Sequence, residues 1–251
     1  MLPCRRMRAP TGKIAAPMFP DATKWLNVAM LRMDQQIGRP VLVEFFDVCR
    51  VSSLRTLPYV KAWAAKYPEL RVISVHAAGY EPSRDEAVVR ASVQRLGIEH
   101  AVALDDRMAI WQQYGNEGWP GRYLWDRDLR LFELHYGEGA YQDTERAIQE
   151  LLGVEGELVE PLRPEDEPSA MLVVPTAEQA GAYSGPYEAG AVWAVLEGAG
   201  TIHVNGSERE VSYTGAHELI EHGVHTEGVL ELKIGDGVTC HATVFTPGLA
   251  P

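Results

Sequence analysis

The residues with the clearest capacity for chemistry stand where an apolar run, residues 41–46, gives way to a helical pattern. Cys49 and Arg50 lie at this junction, and Ser53 follows in the predicted first turn of the helix. A helix N-terminus and a neighbouring guanidinium both stabilise a thiolate, so the thiol pKa of Cys49 is predicted to lie below the free value of about 8.5. Such a thiol could attack a peroxide, a disulfide or an electrophilic carbon, while the Ser53 hydroxyl and free backbone N–H groups bind the developing negative charge.

Each of these residues also has a purely structural interpretation. A buried cysteine packs as a small hydrophobic residue, and Cys49 then has no reactive role. Arg50 either offers a bidentate fork to a carboxylate, phosphate or sulfonate, or is a solvated residue paired with Glu44 or Asp47. Glu44, inside the apolar run, is expected to have a raised pKa unless it is paired. It either transfers protons beneath the turn or is a structural residue with a hydrogen-bonded carboxylate.

Histidines provide two further candidates. His76 ends a second apolar run and is predicted to lie near the same edge of the sheet, where a lone histidine is most often packed or hydrogen-bonded. A second group, in the C-terminal third, consists of His217, His222, His225, Glu218 and Glu221. Its spacing does not match a strong zinc pattern, and the segment is predicted to be a solvated loop, so no metal site is predicted.

The pattern around these residues alternates strands with helices. The predicted elements are a strand at 41–46, a helix from Ser52 towards Tyr67 that Pro58 interrupts, a strand at 71–76, a helix at 84–96, a short strand at 101–105, a helical turn at 110–114, a hairpin at 118–126 and 129–135, and a helix at 144–152.

The C-terminal region has a different character. Residues 154–168 are rich in Glu and Pro without helical or strand periodicity, which predicts a linker. The short alternating strands beyond it, with a hairpin turn at Asn205-Gly206, predict a small all-β sandwich of jelly-roll type. The predicted organisation is a disordered leader (1–15), an α/β domain (16–153), the linker (154–168) and the β-sandwich domain (169–251).

Composition limits the classes of partner. With 35 acidic against 23 basic residues the net charge is −12, which opposes the phosphate backbone, so nucleic acid is not a predicted partner. No apolar run has the length of a membrane span or a signal peptide, and Cys4, Cys49 and Cys240 form no even disulfide framework. We therefore expect a cytoplasmic protein without a membrane partner, and no cofactor is predicted.

A series of short motifs runs through residues 16–153. They are Trp25-Leu-Asn27, Leu54-Arg-Thr-Leu-Pro-Tyr-Val60 with Trp63, Val72-Ile-Ser-Val-His76, Leu104-Asp105, Trp119-Pro120, and Gly137-Glu-Gly-Ala-Tyr141 with Glu145. In this order they resemble the thioredoxin-like domain of DipZ, of the NHL-repeat thioredoxin proteins and of TlpA-type redoxins. The resemblance implies an α/β thioredoxin-like fold. DipZ-type proteins also carry a C-terminal β domain similar to a carbohydrate-binding module, and residues 169–251 are similar to it in length and strand pattern.

The resemblance implies roles for individual positions. Trp119-Pro120 takes the place of the cis-proline loop that faces the active turn, and Glu44 takes that of the buried carboxylate beneath it. The two cysteines of the family's CxxC pair fall on Arg50 and Ser53, while Cys49 precedes them. The chain is therefore not predicted to cycle a CxxC disulfide, and the family's electron donors are not carried over.

Two functions from different classes remain open. The first is a thiol-dependent oxidoreductase of the redoxin type, acting in thiol peroxidase or thiol transfer chemistry with one cysteine and an external low-molecular-weight thiol. Its predicted catalytic residues are Cys49, Arg50, Ser53 and Glu44, and its predicted substrate-binding residues are Trp119, Pro120 and His76. The second is a degenerate redoxin whose former active face binds a small anion or a protein without redox turnover.

Overall fold

The computed structural model of the protein describes residues 13–251. Residues 1–12 of the predicted disordered leader lie outside the described residues. The end of the predicted leader is held in place, because Leu131 N donates to Ile14 O at 2.9 Å and Ala15 pairs with Arg130 in an isolated antiparallel bridge. The prediction of a disordered leader is therefore wrong for Ile14 and Ala15.

Strands and helices are numbered along the chain. The strands are β1 (Lys24–Leu26), β2 (Val41–Phe46), β3 (Arg71–His76), β4 (Ala101–Leu104), β5 (Gly121–Trp125), β6 (Leu131–Tyr136), β7 (Leu172–Val173), β8 (Gln179–Ala180), β9 (Gly185–Gly198), β10 (Gly200–Val204), β11 (Ser207–Val211), β12 (Gly215–Leu230), β13 (Leu232–Ile234), β14 (Val238–Thr246) and β15 (Gly248–Leu249). The helices are α1 (Val51–Lys66), α2 (Glu86–Arg95), α3 (Ala109–Tyr114) and α4 (Tyr141–Leu152), with short 3-10 turns at Met33–Gln36, Pro82–Arg84 and Pro164–Asp166.

The described chain divides into two compact units, neither of which is continuous in sequence. The first unit contains the described residues up to Phe46 together with 56–77 and 99–159, and the second contains 47–55, 78–98 and 160–251. The predicted linear boundaries, with a linker at 154–168, stay a prediction.

The first unit is built on a six-stranded sheet with the order β1-β4-β3-β2-β5-β6. The central strands β2, β3 and β4 pair in parallel, whereas β1 and the hairpin of β5 and β6 are antiparallel to their neighbours. The strands and helices predicted for this half are present, with small shifts at their ends. The largest shifts are of three residues: α4 begins at Tyr141 rather than at residue 144, and β5 begins at Gly121 rather than at residue 118. The prediction that Pro58 interrupts the first helix is wrong, because α1 is continuous from Val51 to Lys66.

Both faces of this sheet are covered, which explains why β2 is buried along its whole length and apolar except at Glu44. Val43 and Phe45 belong to one core, to which α3 contributes Ile110. Leu42 belongs to the other, with Trp63 of α1 and residues of α4. Since side chains alternate along a strand, Glu44 lies on the same face as Leu42.

The second unit is rich in strands. Its three sheets have the orders β12-β9-β14-β8, β11-β10-β13 and β15-β7, and its apolar core gathers residues of β9, β10, β12 and β14. The predicted hairpin turn joins β10 to β11, and both of its residues have positive φ angles, 49° at Asn205 and 80° at Gly206. A two-residue turn of this conformation matches the twist of the paired strands.

The prediction of a solvated loop around residues 217–225 is wrong. Residues 215–230 form the long strand β12, which pairs antiparallel with β9. The register shifts between Glu218 and Ile220 and again between Glu221 and Thr226. These irregularities break the two-residue alternation, so the sequence lacks the periodicity by which a strand is predicted.

Candidate functional site

A buried carboxylate organises the turn that leads into α1. Asp47 is fully buried; its Oδ1 accepts a hydrogen bond from Cys49 N at 2.8 Å, and its Oδ2 accepts from Gly79 N at 2.6 Å and Tyr80 N at 3.2 Å. Hydrogen bonds to a charged acceptor are the stronger ones in proteins. The turn therefore already contains its own anion, which is held by three backbone donors.

Cys49 does not have the properties expected of a reactive thiol. Its side chain is 0% exposed. Burial raises the pKa of the Cys49 thiol, the Asp47 charge raises it further, and the Arg95 charge acts in the opposite direction without reversing the shift. The predicted low thiol pKa is wrong, because desolvation and the neighbouring Asp47 carboxylate both disfavour the thiolate.

The two positions that align with the family's cysteines are engaged in local structure. The guanidinium carbon of Arg50 lies 4.8 Å from the centre of the Tyr80 ring. A β-carbon on Gly79 would be 3.0 Å from Arg50 Nη2 and 3.1 Å from Asp47 Oδ2, so this glycine leaves room for both groups. Ser53 is fully buried, and its Oγ accepts a hydrogen bond from Asp47 N at 3.2 Å. Arg50 therefore resembles a residue that packs locally beside Asp47 more closely than it resembles an open anion site.

Glu44 lies in a buried polar group of the first unit. It stands directly opposite Ser74 and Arg122 on the neighbouring strands, and Ser74 Oγ donates to Glu44 Oε2 at 3.2 Å. Burial raises the pKa of Glu44 to about 8, although the Arg122 charge and the Ser74 hydrogen bond lower it. Ser74 Oγ also lies 2.8 Å from Nε2 of His100, whose pKa burial lowers to about 4. The predicted raised pKa of Glu44 is confirmed, and a proton-transfer role stays a prediction.

The predicted substrate-binding residues of the first unit are only partly accessible. The Trp119-Pro120 peptide bond is cis, as the resemblance implied. Trp119 is half-buried, its Nε1 donates to Ala77 O at 2.9 Å, and its ring centre lies 4.2 Å from that of Trp111. Pro120 is buried, and His76 is only 4% exposed, with its ring edge-to-face against another aromatic side chain. His76 is therefore a packed histidine, the more frequent case for this position.

The three histidines of β12 do not converge. His217 Nε2 donates to Tyr213 O at 2.9 Å, His222 Nε2 lies 2.9 Å from the Tyr187 hydroxyl, and His225 Nε2 lies 3.2 Å from Glu188 Oε2. Within residues 13–251 no group of three or more His, Cys, Asp or Glu side chains is arranged to hold a metal ion.

The second unit has a solvent-open cavity of about 510 Å³ that the sequence did not indicate. Arg95 at the end of α2, Tyr213, Trp193 of β9, and Glu218 and Glu221 of β12 are among its lining residues. The two glutamates were noted in the sequence only as potential metal ligands. Arg95 and Tyr213 gave no signal, because they come from segments far apart in the chain and belong to no motif.

The guanidinium of Arg95 is held against an aromatic stack. Its carbon lies 3.8 Å from the centre of the Tyr213 ring, and the Tyr213 ring is stacked on His217 at 4.0 Å. Among the described residues no carboxylate forms an ion pair with Arg95. Its N–H donors are therefore oriented but not used within the described chain.

None of the helices in the described part of the chain combines the length and the apolar character needed to cross a membrane.

Known proteins show similarity to about half of the chain. DipZ of Mycobacterium bovis is 32% identical over 142 residues, which cover 55% of this chain but 20% of DipZ. The thiol-disulfide oxidoreductase YkuV of Bacillus subtilis is 26% identical, with 56% of this chain and 97% of YkuV covered. The crystal structure of a thioredoxin-like superfamily protein superposes with a TM-score of 0.52 at 19% identity, covering 57% of this chain and 99% of that one.

No protein-family model matches the chain. The similarities nevertheless confirm the predicted thioredoxin-like fold, the fold of thiol-disulfide oxidoreductases, for about half of its length. The remaining residues form the strand-rich region.

Proposed function

We propose that this protein is a degenerate redoxin that binds a small anionic group without redox turnover. The observation that carries the proposal is the state of Cys49, which is fully buried and whose pKa is raised by burial and by Asp47. A thiolate is the reactive form of cysteine, and neither its formation nor its contact with a substrate is favoured here. Arg50 and Ser53 supply no second thiol.

The anion site of this proposal is Arg95 rather than Arg50. Arg50 already packs on Tyr80 beside Asp47, whereas Arg95 is exposed to solvent and lines a cavity. Its planar guanidinium is oriented by Tyr213 and has no carboxylate partner among the described residues. An oriented guanidinium with available N–H donors is well suited to a carboxylate or a phosphate.

The test is calorimetric titration of the full chain with sodium acetate. Arg95→Met is compared with Arg90→Met, which removes an arginine from the same helix that is ion-paired with Glu86 at 2.7 Å. We expect acetate to bind the wild type and Arg90→Met alike, and binding to Arg95→Met to be weaker by roughly tenfold or more, the loss of one charge-assisted pair. Equal affinity in all three proteins would overturn the anion site.

The absence of redox turnover is tested separately with a thiol-reactive probe and mild peroxide. We expect no modification of Cys49 in the folded protein. Oxidation of Cys49 that is reversed by a low-molecular-weight thiol would instead support the one-cysteine oxidoreductase. We also propose that the strand-rich region is a small all-β sandwich of jelly-roll type, which its own buried core supports.

A further inference from the structure

The cavity of the second unit presents charges of both signs. Its lining includes the guanidinium of Arg95 and the carboxylates of Glu218 and Glu221. None of the three forms an ion pair with a described residue. Arg209 of β11 donates to the backbone carbonyl of Glu218 at 3.2 Å and not to its side chain.

The remaining charged side chains of the cavity are already paired. Arg55 Nη2 lies 2.9 Å from Glu165 Oε1, and Arg163 Nη2 lies 2.9 Å from Asp166 Oδ1. In each pair the arginine and the carboxylate offset each other's charge. Arg95 is therefore the lining arginine that has no carboxylate partner among the described residues and is available to a ligand. The cavity therefore has one available positive group and one available negative pair.

The carboxylate pair favours a positively charged neighbour. Burial raises the pKa of Glu218, and the charge of Glu221 raises it further, while the charges of Arg55 and Arg209 act in the opposite direction without reversing the shift. A cation placed between the two carboxylates would offset both effects, because it attracts the two charges that repel each other. A simple anion would be attracted by Arg95 alone, and the two carboxylates of the same cavity would repel it.

We propose that this cavity binds a small zwitterion, a free amino acid or a short peptide, with its carboxylate on Arg95 and its ammonium group on Glu218 and Glu221. The volume of about 510 Å³ is within the range of small-molecule sites. Trp193, Leu54 and Leu96 in its lining provide apolar surface for the body of such a ligand. This assignment rests on the proposed function, because it uses the same arginine and adds the second half of the site.

The experiment uses three probes that place the two charges at increasing separation, namely glycine, glycylglycine and triglycine. Each is titrated into the full chain by calorimetry. The probe that binds best is then compared with its N-acetylated form, which lacks the ammonium group, and its C-terminal amide, which lacks the carboxylate. We expect either modification to weaken binding to the wild type by roughly tenfold or more.

Variants assign each end of the ligand to its residue. In Arg95→Met, amidation of the probe should no longer weaken binding, whereas acetylation should still do so. In Glu218→Gln, acetylation should lose most of its effect and amidation should keep it. Arg95→Lys retains the charge without the planar fork, so its affinity for the probe should lie between those of the wild type and Arg95→Met. Arg90→Met should bind the probes as the wild type does. Circular dichroism of each variant confirms that it is folded.

The outcomes separate this assignment from the proposed function. If the acetylated probe binds as tightly as the free one and Arg95→Met weakens both, the zwitterion is refuted and the anion site stands. If Arg95→Met binds every probe as the wild type does, both are refuted. Failure of all three zwitterions to bind, with acetate still bound through Arg95, also refutes the zwitterion.

Discussion

Replacing Glu44 by glutamine should change how the stability of this protein depends on pH. Glu44 is completely buried, and its Oε1 has no hydrogen-bond partner among the described residues. Burial raises its pKa from 4.5 to about 8. Glutamine has nearly the same shape but carries no titratable group, so the variant removes the ionisation while it keeps most of the packing.

The sign of the effect follows from proton binding. Between about pH 4.5 and pH 8 the folded protein holds a proton on Glu44 that the unfolded chain has released. The wild type therefore loses stability as the pH rises through this range, by about 1.4 kcal/mol for each pH unit. From about pH 5 to about pH 7.5 the loss is about 3 kcal/mol. Glu44→Gln lacks this contribution. The free energy of unfolding of the variant minus that of the wild type should therefore rise by the same amount as the pH increases over this range.

The measurement is urea denaturation of both proteins at several pH values. Any packing penalty of the amide shifts the difference between them equally at every pH, and the contribution of His100 is common to both proteins. Glu69→Gln is the control, because it removes a carboxylate from a side chain that is 72% exposed. A difference between wild type and Glu44→Gln that stays constant from about pH 5 to about pH 7.5 would refute the reasoning from burial.

Three further predictions concern the turn. Cys49 should resist alkylation in the folded protein and react only after denaturant is added, which mass spectrometry of the labelled peptide detects; rapid native labelling would contradict its burial. Asp47→Asn should lower the free energy of unfolding by about 2 kcal/mol, because the charged acceptor of three backbone donors is lost; an unchanged denaturation midpoint would count against this role. The chain should not reduce insulin with dithiothreitol as donor, since Arg50 and Ser53 cannot form a mixed disulfide; turnover at the rate of a thioredoxin would disprove the alignment of the turn.

Much of the first unit could be predicted from the sequence because its elements have regular periodicity. The apolar run 41–46 indicates a strand covered on both faces, and the structure packs both faces. A carboxylate within that run has to be buried, so the raised pKa of Glu44 was predictable before any partner was known. The cis bond at Trp119-Pro120 was implied by the family resemblance rather than by local periodicity.

The second unit was harder to predict, because its long strand β12 departs from regular alternation. Two register shifts in its pairing with β9 hide the two-residue period, and the histidine-rich stretch therefore resembled a loop. What makes it a strand is the pairing with β9, which a sequence window does not contain.

The reactivity of Cys49 and the charges of the cavity were decided by tertiary structure alone. The local sequence contains the helix start and Arg50, which both favour a thiolate, but burial and the orientation of Asp47 depend on how the chain packs. In the same way Arg95 becomes an oriented, unpaired guanidinium only because Tyr213, far along the chain, stacks against it. The sequence determined which groups are present, whereas folding set their solvation and their neighbours, and these fix whether a charge is favoured.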